Sequence, residues 1–114
     1  MKKLLPTLLL IPVAIFAQRG SADNPENGRK LFLKENCYYC HGTVGQGSRD
    51  GARIAAINLT ADGMIRYVRK PTGAMPAYTE KVISDQDLRD IYAYLKSLPT
   101  AKAPQDIPLL DPSR

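Results

Sequence analysis

The sequence predicts an all-α domain. Three segments carry apolar residues at helical spacing between good caps, no segment shows the strict alternation of a half-buried strand, and the connections are rich in glycine and proline. The first segment opens at Asn24, a favoured N-cap, with Pro25 at the first helical position and Glu26 at the positive helix end. Gly28, Leu31 and Phe32 share one face, and the helix is expected to run to about Cys37. Gly28 costs about 1 kcal/mol relative to alanine inside a helix, a penalty that makes sense where another helix crosses closely.

The second helix is expected after Thr60 as N-cap, through Met64, Ile65 and Val68. It ends near Lys70, because Pro71 disfavours helical geometry in the residue before it. The third has the clearest signals. Ser84 and Asp87 form a capping-box pattern, Leu88, Ile91, Leu95 and Leu98 make an apolar stripe bordered by Tyr92 and Tyr94, Lys96 suits the negative end, and Pro99 stops it. Between the first two helices, the segment from Gly42 to Asn58 holds glycines at 42, 45, 47 and 51, which predicts a loop that hugs something closely. After Pro99, the prolines at 104, 108 and 112 surround Ile107, Leu109 and Leu110, so residues 100–114 are expected to be an extended tail. No internal repeat is present.

The first residues have a different character. Lys2 and Lys3 precede an apolar run from Leu4 to Ala17, interrupted only by Thr7, and small residues follow at Gly20-Ser21-Ala22. That order is the signature of a secretory signal peptide. Residues 1–22 are therefore expected to be a leader cleaved after Ala22 or Ala17, with residues 23–99 as the domain. The run contains Pro6 and Pro12 and is shorter than the roughly 20 residues of a membrane span, so a retained N-terminal anchor is the lesser alternative. A remaining chain of about 92 residues is marginal without a cofactor, metal or disulfide to help it. With two cysteines only, the helper must act through them.

Those cysteines stand in Cys37-Tyr38-Tyr39-Cys40-His41. Two thiols separated by two residues in a helical turn match the spacing needed to hold a haem through its two vinyl groups. The adjacent imidazole then projects under the same ring as an iron ligand. C-x-x-C-H is a c-type haem attachment signal, and export of the chain agrees with it. Three plainer readings compete. A thioredoxin-like dithiol needs a neighbouring βαβ pattern that is missing here. A zinc site lacks a fourth ligand, since His41 is the only histidine. A disulfide would close a very small loop and stabilise little.

For the second axial position, thioethers outside the leader are limited to Met64 and Met75. Met64 lies mid-helix beside Ile65, where methionine usually fills a core. Met75 lies in Gly73-Ala74-Met75-Pro76-Ala77-Tyr78, a loop able to reach across to a ring held elsewhere, and it is the preferred ligand. The alternative is Met75 as a loop hydrophobe over an open haem. His/Met ligation raises the reduction potential and leaves no vacant iron position.

Taken together, Gly28 and Phe32, Cys37 to His41, Met75-Pro76 and Tyr94-Leu95 resemble the class I cytochromes c over nearly the whole chain from Asn24 to about Leu98. The resemblance implies a cytochrome c-like fold of three main helices wrapped with loops around one covalent haem c and its iron. It also implies that the terminal helices cross at Gly28, and that Tyr78 packs on the haem. Many relatives place Gly-Pro after the haem motif, the proline carbonyl accepting a hydrogen bond from the proximal histidine. Gly51-Ala52 fills those positions here, so a carbonyl remains while its rigidity is lost.

The function this implies is single-electron transfer rather than enzymatic turnover. The chain is expected to act as a periplasmic carrier, or as the cytochrome subunit of a dehydrogenase or oxidase chain, with redox proteins as partners. The rival is a haem enzyme or gas sensor with an open distal site, although no second histidine exists to serve peroxide chemistry. Arg53 is placed either against a haem propionate or in solvent. Arg49, Lys70 and Lys81 flank the expected haem edge and could steer an acidic partner, but Asp50 and Glu80 beside them favour an ordinary mixed surface. The net charge of +5 points to nothing more. Without Lys2, Lys3 and Arg19 of the leader, 13 basic side chains face 11 acidic ones, a balance of +2 that two haem carboxylates offset, so nucleic acid is not an expected partner.

Overall fold

Four α-helices and two single 3-10 turns account for the regular structure of residues 22–110, the part of the chain that the computed structural model describes. Apart from Ala22, the expected leader lies outside the described residues, as do residues 111–114. Helix α1 (Pro25–Lys34) begins at Asn24, whose Oδ1 accepts the Asn27 amide at 3.1 Å. It stops three residues earlier than its pattern suggests. Asn36 turns to φ 60°, ψ 22°, a left-handed conformation that asparagine tolerates better than most residues. The chain then restarts as α2 (Cys37–His41), so the C-x-x-C-H motif forms a short helix of its own rather than the end of α1. The three main helices expected are thus present among the described residues, with α2 as a short fourth.

Helix α3 (Ala61–Arg69) is capped by Thr60, whose Oγ1 accepts the Gly63 amide at 3.1 Å. Helix α4 (Asp85–Ser97) carries the full capping box between Ser84 and Asp87. Lys96 does more than complement its own helix end. Its Nζ donates to the Ile57 carbonyl at 3.2 Å and ties α4 to the loop before α3.

The principal helix contact is between α1 and α4. At their crossing a Cβ on Gly28 would lie 1.9 Å from the Asp90 carbonyl oxygen, so the backbones meet where only glycine fits. Next to this point Asp90 is buried, and its carboxylate accepts the Asn24 amide (2.9 Å), Asn27 Nδ2 (2.8 Å) and Gln86 Nε2 (3.0 Å). Burial pushes its pKa up, but these three hydrogen bonds outweigh burial and hold it below the ordinary value. Further along, Phe32 and Leu95 are fully enclosed, each worth roughly 1.5–3 kcal/mol of burial. The Phe32 and Tyr94 rings meet at 5.6 Å and 57°, a favourable tilted pair. Ile57, Met64, Ile65, Ile83, Leu88 and Ile91 complete the core.

The tail differs from the expected extended form. Pro104–Asp106 and Pro108–Leu110 each make one 3-10 turn. Proline opens both, since its fixed φ near −65° suits the first residue of a 3-10 turn as well as an extended chain. Leu109 and Leu110 are exposed on the second. Among the described residues there is no strand, and no helix is long and apolar enough to cross a membrane.

Candidate haem site

The left-handed step at Asn36 sets α2 against the core, where Cys37 is half-buried and packs on the apolar cluster. Cys40 is half-buried on the same turn, and no disulfide joins the two thiols. Burial pushes the Cys37 thiol up to about 11, and the nearby Glu35 carboxylate adds to the effect. Both thiols sit beside His41, the last residue of α2.

The glycine loop holds that imidazole. Gly47 donates its amide to the His41 carbonyl at 2.7 Å, and Ser48 Oγ donates to the Cys40 carbonyl at 2.6 Å. Gly51 then lies on the Cys40 backbone, where a Cβ would come within 2.5 Å of its carbonyl oxygen. This close approach brings the Ala52 carbonyl to 2.7 Å from His41 Nδ1. A carbonyl only accepts, so Nδ1 carries the proton and Nε2 keeps its lone pair, the form an iron ligand requires. Ala52 thus supplies the hydrogen bond expected of the Gly-Pro pair in related proteins.

Above α2 opens an apolar cleft of about 720 Å³, within the size range of cofactor pockets. Cys37, His41, Arg53, Met75 and Tyr78 all line it, and so do core residues such as Phe32, Ile57, Leu88 and Leu95. Cys40 is beside this group on α2. Met64 is buried in the core, as its helical position suggests, and also reaches the cleft wall. Arg53 lines the cleft while donating from Nη2 to the Pro99 carbonyl at 2.8 Å, which draws Thr100 and Ala101 to the cleft edge. Tyr78 donates its amide to the Val68 carbonyl (3.2 Å) and its hydroxyl to the Glu35 carbonyl (3.1 Å). Burial, with the Cys37, Glu35 and Cys40 charges, raises its pKa and keeps the hydroxyl a donor. At the surface Arg49 pairs with Asp50 at 3.5 Å, in keeping with a mixed-charge face.

Several cleft residues were not singled out in the sequence. Tyr67 shares a face with Met64, three residues away, a signal that spacing carried. Glu35, Thr100 and Ala101 reach the cleft only through tertiary folding, and nothing local marks them.

Two thiols, an imidazole with a free Nε2 and apolar walls suit a covalently held haem. Among the described residues no three or more His, Cys, Asp or Glu side chains converge as a metal cage, so the zinc reading gains nothing. The fold and the cleft define an all-α haem-binding domain of the cytochrome c kind. The family model described as cytochrome C oxidase, cbb3-type, subunit III matches residues 23–95. Cytochrome c-555 of Methylococcus capsulatus is 30% identical over 95 residues, covering 81% of this chain and 77% of that protein. No solved structure matches the chain. The chain belongs to the c-type cytochrome family, and with it come covalent haem c, iron and haem-based electron transfer with redox proteins as partners.

Proposed function

We propose that this cytochrome is an exported one-electron carrier with His41 and Met75 as axial ligands and thioether bonds at Cys37 and Cys40. It serves a periplasmic dehydrogenase, an oxidase or another cytochrome, alone or as their cytochrome subunit. The observation that carries the reading is the His41–Ala52 hydrogen bond, which leaves Nε2 available in an apolar cleft shared with Met75. Residues 1–22 act as the leader. The matching family description names a subunit of a cytochrome c oxidase, which supports a place in a respiratory chain.

Bound haem c supplies an iron that gains and loses one electron. The residues of this chain supply the rest. Cys37 and Cys40 fix the ring, His41 Nε2 binds the iron from α2, and the Ala52 carbonyl sets the imidazole plane. Phe32, Ile57, Leu88 and Leu95 keep water from the cleft, which limits the reorganisation that accompanies a change of charge. Met75 is favoured over Met64 because a loop side chain is free to turn toward the cleft, whereas Met64 is committed to the core with Phe32 and Ile65.

Intact mass and absorption spectra of the exported protein test the reading together. The expected result is a mass of residues 23–114 plus one haem, with a low-spin spectrum in both oxidation states. Carbon monoxide should bind the ferrous form slowly and weakly. Met75→Ala should make that binding fast, and Met64→Ala should not. Fast, tight binding to the unaltered protein would instead favour a gas-binding or catalytic haem.

A further inference from the structure

We propose that Arg69 is the positioning residue for the Met75 loop, and that its two-armed grip keeps the thioether on the iron. The proposal rests on Met75 being the sixth ligand. Arg69 is the last residue of α3, and its guanidinium is mostly buried behind the cleft wall without being part of it. One arm, Nη1, donates to the Tyr78 carbonyl at 2.9 Å. The other, Nη2, pairs with the Asp85 carboxylate in the first turn of α4. The segment from Lys70 to Tyr78 is thereby closed into a loop, and Met75 lies within it.

Tyr78 completes the clamp. Its amide bonds the Val68 carbonyl, its carbonyl accepts from Arg69, and its hydroxyl reaches Glu35, two residues before the attachment motif. The end of the Met75 loop is thus referenced to both α3 and the segment that leads into Cys37. Charge-assisted bonds are the stronger kind, and a planar fork holds two acceptors at fixed separation, which a lysine ammonium does not reproduce.

Arg69 Nε is buried with no hydrogen-bond partner among the described residues. A buried N–H without a partner costs stability, and the two paired arms of the guanidinium offset that cost while they hold the ends of the Met75 loop.

The test uses the haem-loaded protein and three variants, Arg69→Leu, Arg69→Lys and Asp85→Asn, with Met75→Ala as reference. The readouts are the far-red sulfur-to-iron absorption of the ferric form, the rate of carbon monoxide binding to the ferrous form, and far-UV circular dichroism as a control of fold. Expected for Arg69→Leu and Arg69→Lys are a weakened far-red band and carbon monoxide binding faster by about tenfold, since losing a charge-assisted bond raises the detached population by that order. Asp85→Asn should give a smaller change in the same direction, and it decides the matter if Arg69→Leu does not fold. Unchanged band and rate in Arg69→Lys and Asp85→Asn, while Met75→Ala abolishes the band, would overturn the role of Arg69 alone. A band that survives Met75→Ala would overturn the ligand assignment, and this inference with it.

Discussion

His41 donates from Nδ1 to the Ala52 carbonyl at 2.7 Å, and Gly51 makes this possible by lying flat on the Cys40 backbone. The orientation of the imidazole is therefore set by one missing side chain at the neighbouring position.

Gly51→Ala should push the loop off Cys40, because its Cβ would approach the Cys40 carbonyl oxygen to 2.5 Å. The His41–Ala52 bond lengthens and, with His41 as the proposed iron ligand, a poorer imidazole donor would raise the reduction potential. Overpacking of this kind costs about 1–3 kcal/mol of stability. A redox titration and a denaturant melt check the two effects, and a potential equal to that of the unaltered protein would mean that Ala52 does not tune the ligand.

Gly28→Ala sets a gain against a loss. Helix propensity improves by about 1 kcal/mol, yet the new Cβ would sit 1.9 Å from the Asp90 carbonyl oxygen and force α1 and α4 apart. The steric term wins, with a net loss of roughly 2 kcal/mol expected from overpacking between backbones. Guanidinium unfolding of the haem-loaded variant measures it. A gain in stability would show that the helices separate without cost.

Removing the haem should leave the chain largely unfolded. Phe32, Ile57, Met64, Ile83, Leu88, Ile91 and Leu95 belong to both the core and the cleft wall, so the domain has no second apolar layer to cover them. A domain of this size is already marginal. A haem-free Cys37→Ala/Cys40→Ala double variant is expected to lack native helical circular dichroism. A cooperative melt from that protein would contradict the expectation.

The parts of this fold that were legible in the sequence are those decided within a few residues. The capping box at Ser84 and Asp87, the Thr60 cap and the stop at Pro71 are local chemistry, and each helix forms there. Gly28 was legible as an anomaly, a helix penalty awaiting a crossing partner. The break at Asn36 was not, because asparagine accepts a left-handed step as well as a continued helix, and packing of α2 decides. The tail turns were missed because proline serves extended and 3-10 backbones alike. In the site, C-x-x-C-H announces itself through spacing. The proposed role of Arg69 outside the cleft does not, since its partners Tyr78 and Asp85 are nine and sixteen residues away and converge only once α3 and α4 pack.

Asp90 gives the domain an acid limb. Its folded pKa is lower than its unfolded one, so its contribution is complete above the unfolded value and is lost as pH falls from about 4 through the folded value. Asp90→Asn should cost about 1–3 kcal/mol at neutral pH, because three donors then face an amide instead of a carboxylate. The gap between variant and parent should close in acid. Stability curves against pH for both proteins test this, and parallel curves would remove Asp90 from the acid response.

The Asn24–Asp90 bond spans 66 residues and has a consequence for the order of events during biosynthesis. The opening helix finds its partner only when the closing one has been made, so a growing chain cannot settle its N-terminal end early. Cys37 and Cys40, the proposed points of haem attachment, follow directly behind α1, so they sit in a stretch of chain whose final packing waits on the last helix.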